Sequence, residues 1–318
     1  MSDTLIKRTT FIVENAQRSI AFYRDVLGMT LYYDQAMTVT GNIIPAGVPG
    51  AKVQLGIMEG NHKDVAKIGL LEWVDPPLDK PKAPYRKRMG IGDIVIVTET
   101  PDIEGVYARL QQAKDCHIVC PPHDWSVPAP DGKSQVEMTT LSFFDPDGFF
   151  VEVNAKRNVP NMPVFAVRRA TLLVRDINIS LDFYKNVMGM DVWYDNVMSV
   201  GGQVLPAGVP DAKVRVAILK CDDPQVGMLG LTQFLDPPLE NPPLPDRRLG
   251  IGDAIFICSA KDVHAIYERM QNAPVRIMTP PVDDKVTDAQ GNVVKLTTMS
   301  FFDPDGFFFE VNTRKAVT

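Results

Sequence analysis

The sequence predicts an α+β protein made of four βαβββ modules arranged as two tandem domains. Three observations predict it. Long segments of the first half return in the same order in the second half. Within each half, strand-like alternation and helical spacing follow one another in a fixed grammar. An Asp-Pro-Asp-Gly turn precedes the last strand-like stretch of each half.

The repetition carries the domain organisation. SIAFYRDVLGM at Ser19–Met29 recurs as SLDFYKNVMGM at Ser180–Met190, and PAGVPGAKV at Pro45–Val53 recurs as PAGVPDAKV at Pro206–Val214. RMGIGDIVI (Arg88–Ile96) returns as RLGIGDAIF (Arg248–Phe256), and TTLSFFDPDGFFVEVN (Thr139–Asn154) as TTMSFFDPDGFFFEVN (Thr297–Asn312). The copies stay about 160 residues apart throughout, far more than a solenoid unit, so they are two domains. The expected boundaries are an N-terminal domain at 1–154, a linker at 155–165 with two prolines, and a C-terminal domain at 166–318.

Taken in order, Lys7–Val13 alternates as a half-buried strand does. Ser19–Met29 gathers Ile20, Tyr23 and Leu27, with Phe22 and Val26, on one helical face, and Gly28 is suited to stop it. Strands are expected at Lys52–Met58 and Ile68–Val74. The pattern restarts with a strand at Asp93–Thr98, a helix at Ile103–Ala113, and strands at Gln135–Phe143 and Phe149–Asn154. Asp145-Pro146-Asp147-Gly148 is turn chemistry between the last two.

Composition narrows the function classes. The 318 residues are 45% hydrophobic and 23% charged with a net charge of −6, and the pI near 5.3 argues against a nucleic-acid surface. Four cysteines in a chain of this length form no disulfide framework, which points to a reduced intracellular setting. The polar start MSDTLIKRTTFIV has no signal core, and no apolar run approaches a membrane span. A cytoplasmic location without membrane contact is therefore expected. No phosphate loop, nucleophile elbow or dinucleotide fingerprint is present, since Gly90-Ile-Gly92 is too short to be one.

The segment from Arg8-Thr-Thr-Phe-Ile-Val through SIAFYRDVLGM, then GIGDIVIV, then FFDPDGFFVEVN, each repeated in the second half, resembles the vicinal-oxygen-chelate superfamily over essentially the whole chain. That group includes glyoxalase I, methylmalonyl-CoA epimerase, extradiol dioxygenases and the bleomycin-resistance proteins. The resemblance implies curled, barrel-like cups, each made by two modules around a small-molecule cavity. In metal-dependent members, four strands each supply one ligand to a divalent ion. Carried over residue by residue, those positions fall on Arg8 and Arg169, on Leu70 and Leu231 (with Glu72 and Gln233 two residues on), on Asp93 and Asp253, and on Glu152 and Glu310.

Such a set does not suit a cation. Arginine has a fixed charge and no lone pair for a metal, and leucine has no donor at all. No metal or other cofactor is therefore expected. Two readings of the remaining residues are open. Arg8 and Arg169 neutralise the carboxylates as buried ion pairs, or they hold a substrate oxyanion while Asp93, Glu152, Asp253 and Glu310 move protons. Glu72, Gln233, Tyr33 and Tyr194 join Arg8 and Arg169 as expected substrate contacts. Whether a cup closes within one half or across the two is also open.

The function expected from these residues is that of a metal-independent lyase or isomerase acting on a small oxygenated metabolite. The alternatives are a binding protein that sequesters a small molecule, and a metal-dependent enzyme using unusual ligands such as Glu72. A monomer or homodimer is expected. Cys116, His117, Cys120 and His123 crowd together without a zinc spacing and have no counterpart in the second half, so a chance cluster is expected. His62 and His264 read as surface or packing residues. The proline-rich segments Asp75–Arg88 and Asp236–Arg248 read as lids or straps beside the cups.

Overall fold

Each module opens with a strand and a short helix, and the sequence repeats that opening four times. The computed structural model describes residues 4–62, 65–80, 88–128, 133–157, 166–221, 226–244, 248–287 and 293–316. The first module holds β1 (Thr4–Ile12), α1 (Ala16–Asp25), β2 (Thr30–Thr38), β3 (Lys52–Glu59) and β4 (Lys67–Asp75). The second holds β5 (Ile94–Glu99), α2 (Ile103–Gln112), β6 (His117–Pro128), β7 (Gln135–Phe144) and β8 (Phe150–Lys156). In the third, β9 (Ala166–Leu173) and α3 (Ile177–Asp182) lead through a π-helical turn at Phe183–Val187 to β10 (Asp191–Val200), β11 (Ala212–Lys220) and β12 (Met228–Asp236). The fourth holds β13 (Ala254–Ala260), α4 (Val263–Met270), β14 (Arg276–Thr287), β15 (Val293–Phe302) and β16 (Phe308–Ala316).

The helices are too short to persist alone, so packing and capping must hold them. Asn15 starts α1 by accepting the Arg18 N–H at 2.8 Å. Its buried face is Ile20, Phe22 and Tyr23. The Asp-Pro-Asp-Gly turn pins that helix: the Tyr23 hydroxyl donates to Asp145 Oδ2 at 2.8 Å, Ser19 donates to Asp147, and Arg18 pairs with Asp147 at 2.6 Å. Asp145 Oδ1 also accepts the N–H groups of Asp147 and Phe149 at 2.9 and 2.8 Å. The second half repeats the device, with Tyr184 on Asp303 at 2.5 Å and Ser180 on Asp305 at 2.6 Å. The turn foreseen from sequence is therefore also a helix socket.

The strands form two curled eight-stranded sheets. One runs β14-β15-β16-β13-β1-β4-β3-β2, the other β10-β11-β12-β9-β5-β8-β7-β6. The first module thus joins the fourth, and the second joins the third. Both cups close across the halves. β1 is antiparallel to β13 and parallel to β4, while β9 is antiparallel to β5 and parallel to β12.

One large buried cluster fills the helix side of both sheets, taking Phe11, Leu70, Ile96, Leu172 and Leu231 among others. Two smaller clusters lie in the concave faces of the two cups. β8 runs on to Lys156, into the expected linker, and residues 158–165 lie outside the described residues. So do residues 81–87 and 245–247 of the two proline-rich segments. All four cysteines are free thiols. Among the described residues, no helix is long and apolar enough to cross a membrane.

Candidate functional site

Along β9, Ala166 pairs with Glu99 and Val167 with Thr98, after which the register slips and Arg169 pairs with Val97. Arg168 is the extra residue of this bulge. A bulge re-aims side chains that would otherwise alternate, and both Arg168 and Arg169 line one cavity of about 480 Å³. β8 lies beside β5 in parallel, setting Glu152 next to Val97. Arg169, Val97 and Glu152 therefore form one row across three adjacent strands, facing the concave side.

On the other flank, β12 sets Met228 beside Arg169 and Gly230 beside Thr171. A Cβ at Gly230 would lie 2.4 Å from Thr171 Oγ1. Glycine is what allows Thr171 to lean into the cup at that point. One side of the cavity comes from the loop Gly201–Leu205. Ser142 ties that loop down by donating to the Val204 carbonyl at 2.6 Å, and the Met89 N–H holds the following Pro206 carbonyl at 3.0 Å.

Side-chain orientation in the row is fixed by hydrogen bonds. The Asn154 amide donates to Glu152 Oε1 at 2.8 Å, Thr140 donates to the Asn154 side-chain oxygen, and Trp125 Nε1 donates to Thr140 at 2.6 Å. The Arg169 Nε donates to Thr171 Oγ1 at 3.1 Å. Burial draws the Arg169 pKa below its ordinary value, while Glu152 and Glu99 pull it back up. Arginine starts so high that it stays charged. Among the described residues, neither Arg169 nor Glu152 is engaged in an ion pair with the other. They share a cavity without cancelling each other at contact.

The other cup carries the same row as Arg8, Ile257 and Glu310. Burial draws Arg8 down and Glu310 up, each opposed by the other's charge. Its walls are bulkier. Ile255 and Ile257 stand where the open cup has Val95 and Val97, Leu55 where it has Val216, Leu71 where it has Thr232, and Trp73 where it has Phe234. Most of these pack into a buried apolar cluster with Ile12 and Phe308. Val282 and Asp284 replace His123 and Trp125.

The structure separates the residues expected from sequence. It brings together Arg169, Glu152 and Tyr194 around the cavity, and Arg8, Glu310 and Tyr33 in the other cup. Asp93 and Asp253 do not join them. Each sits in the turn before its strand, accepting the N–H of Gly90 at 2.7 Å or Gly250 at 2.8 Å. Glu72 and Gln233 face the helices instead, accepting the N–H of Ala16 at 2.8 Å and of Ile177 at 3.1 Å. Leu70 and Leu231 lie on that same face in the main core, one residue off the cup-facing Gly69 and Gly230. The crowded sulfur and imidazole groups also disperse: Cys116 faces the end of α2, His117 stacks on Phe144, Cys120 is buried, and His123 reaches the cavity.

Read from the strands, the donor set of the open cup is one carboxylate, one guanidinium, Val97 and Gly230. Among the described residues, no three His, Cys, Asp or Glu side chains gather in a way that could hold a metal. The single carboxylate at those strand positions stands beside a fixed positive charge, which does not suit a divalent ion, and among the described residues Glu99 and His123 elsewhere in the lining do not complete a ligand set.

A model of the glyoxalase/bleomycin resistance protein/dioxygenase superfamily matches residues 5–153 and again 166–311. The chain belongs to that superfamily. Among solved structures it is similar to glyoxalase I from Zea mays, at 19% identity and a TM-score of 0.60, covering 98% of this chain and 92% of that one. It is also similar to a candidate dioxygenase from Bacillus subtilis subsp. subtilis str. 168, at 18% identity and a TM-score of 0.57, covering 98% and 86%. At such identities the likeness is one of fold. No curated protein matches the chain in sequence.

Proposed function

We propose that the cup formed by the second and third modules is a metal-independent acid–base site for a small oxygenated compound, with the chemistry of a lyase or isomerase. The observation that carries this reading is the row Arg169–Val97–Glu152 facing a cavity of about 480 Å³, with Glu152 oriented through Asn154, Thr140 and Trp125. A cavity of that size suits a small molecule.

In this reading Glu152 takes a proton from a carbon next to a carbonyl. The C–H electron pair forms the carbon–carbon double bond, and the carbonyl oxygen becomes an enolate held by Arg169. Return of the proton to a neighbouring atom completes an isomerisation. Tyr194, which also lines the cavity, shares the oxyanion in this reading. Val97 leaves the middle of the row dry, which strengthens both charged partners.

Phenylpyruvate, a carbon acid with vicinal oxygens and an apolar ring, is a suitable probe. In D2O the protein should accelerate deuterium exchange at its C3, followed by NMR. Glu152→Gln should cut that acceleration by about 100-fold or more, with binding retained by tryptophan fluorescence. Equal exchange in the two proteins would sink the reading. Tight binding without exchange in the wild type would favour the sequestering reading, which the apolar walls and the tryptophans Trp125 and Trp193 also support.

A further inference from the structure

Trp125, Thr140, Asn154 and Glu152 stand on three neighbouring strands, β6, β7 and β8, and join end to end. Trp125 Nε1 lies 2.6 Å from Thr140 Oγ1, Thr140 meets the Asn154 side-chain oxygen, and Asn154 Nδ2 lies 2.8 Å from Glu152 Oε1. Thr140 and Asn154 are 0% and 4% exposed, so their polar atoms must find partners within the protein. The two ends, Trp125 and Glu152, both belong to the wall of the open cavity.

The relay runs one way. An indole N–H only donates, so the Thr140 oxygen accepts at that end. Its single buried hydrogen needs an acceptor, and among the described residues the Asn154 side-chain oxygen is the one it meets. The amide is thereby fixed with its nitrogen toward Glu152, and an N–H donor suits a carboxylate that accepts. Without the indole donor, the Thr140 oxygen can accept from Asn154 instead. The amide then turns its oxygen toward Glu152, a partner that suits only the protonated acid.

The other cup supplies the contrast. Thr298, Asn312 and Glu310 repeat Thr140, Asn154 and Glu152 in the same register, and Asn312 again hydrogen-bonds to Glu310. Asp284 takes the place of Trp125, and an ionised carboxylate only accepts. The starting donor of the relay is therefore the member that the halves do not share, and it stands in the cup with the cavity.

We infer that Trp125 is a positioning residue: acting through Thr140 and Asn154, it holds Glu152 as a hydrogen-bond acceptor, the state that a base needs. The role rests on reading the open cup as the acid–base site.

Deuterium exchange at C3 of phenylpyruvate gives the first test. Trp125→Phe, which keeps a ring at the cavity and loses the donor, should lower kcat about tenfold with KM held within about twofold, the worth of one hydrogen bond. Thr140→Val should do the same, and Thr140→Ser should recover most of that loss. The double variant Trp125→Phe/Thr140→Val should be no slower than Thr140→Val alone. Losses that multiply, or that fall on KM, would mean separate packing defects and overturn the inference. A second measurement needs no turnover. By proton NMR, Glu152→Gln should shift the Trp125 indole proton and leave that of Trp73 in place, and the response should vanish in the Thr140→Val background. No response, or one that survives Thr140→Val, would overturn the relay. A responding indole in a protein that catalyses no exchange would leave the relay standing and sink only the acid–base reading.

Discussion

At the scale of single residues, the question is which face of a strand a side chain takes. Arg169 and Glu152 were legible because each lies inside a motif repeated in both halves. Leu231 against Gly230 was not, because a one-residue slip exchanges the cup face for the helix face and the sequence does not say which is which. Gly230 gives no positive signal in sequence: its role is the space that Thr171 occupies. Asp93 was misplaced for a related reason, because GIGD is a turn whose aspartate caps its own backbone. Two mutations separate these cases. Glu152→Gln should remove the proposed proton transfer. Asp93→Asn should leave C3 exchange of phenylpyruvate within about twofold and lower stability by no more than about 1 kcal/mol, because the amide oxygen still accepts the Gly90 N–H. A large loss of exchange in Asp93→Asn would return it to the site.

Helices and strands show a different limit. The helices at Ala16–Asp25 and Ile103–Gln112 follow the apolar spacing closely, as do strands β3, β4, β5, β7 and β8. The edge strands β2 (Thr30–Thr38) and β6 (His117–Pro128) had no strand assigned to them from sequence, because β2 is mostly exposed and β6 is broken by bulges, so neither shows clean alternation. His123 was read only as part of a chance cluster, and Trp125 was passed over with β6. The helix sockets make a prediction in pH. Burial first, then the neighbouring Asp147, pushes Asp145 up to about 7 against its Tyr23 and backbone hydrogen bonds, and Asp303 is pushed to about 7 likewise. The native state then keeps protons that the unfolded chain releases from its ordinary value of 3.8 upward. Stability from these groups is full below that value and is lost as pH rises through about 7. Urea midpoints measured from pH 5 to 8 should fall more in the wild type than in Asp145→Asn. Parallel curves would show that Asp145 is ionised throughout.

For the whole molecule, the contrast between the cups is itself testable. Val97→Ile with Thr232→Leu carries the bulk of the closed cup into the open one. Probe binding should fall at least about tenfold, since overfilling a formed cavity costs on the order of 1–3 kcal/mol, while the melting temperature holds or rises. Undiminished binding would place the ligand elsewhere. The shared helix-side core predicts cooperativity as well. Trp73 reports on one cup and Trp125 with Trp193 on the other, so unfolding followed in Trp73→Phe and in the wild type should give one midpoint. Distinct midpoints would mean that each cup melts alone.

The pairing of first module with fourth and second with third has a consequence during synthesis. The modules nest like a pair of brackets inside another pair. Emerging from the ribosome, Ile94 meets its partner Leu172 early, whereas Phe11 must wait for Ala254, near the end of the chain. The inner cup, which holds the open cavity, can close while the fourth module is still being made. The outer cup closes last, and until then β1 presents an unpaired edge, the kind of surface on which nascent chains associate with one another. The half of the architecture that holds the open cavity is thereby the first to be finished, and the apolar, tightly filled half is the clasp that shuts behind it.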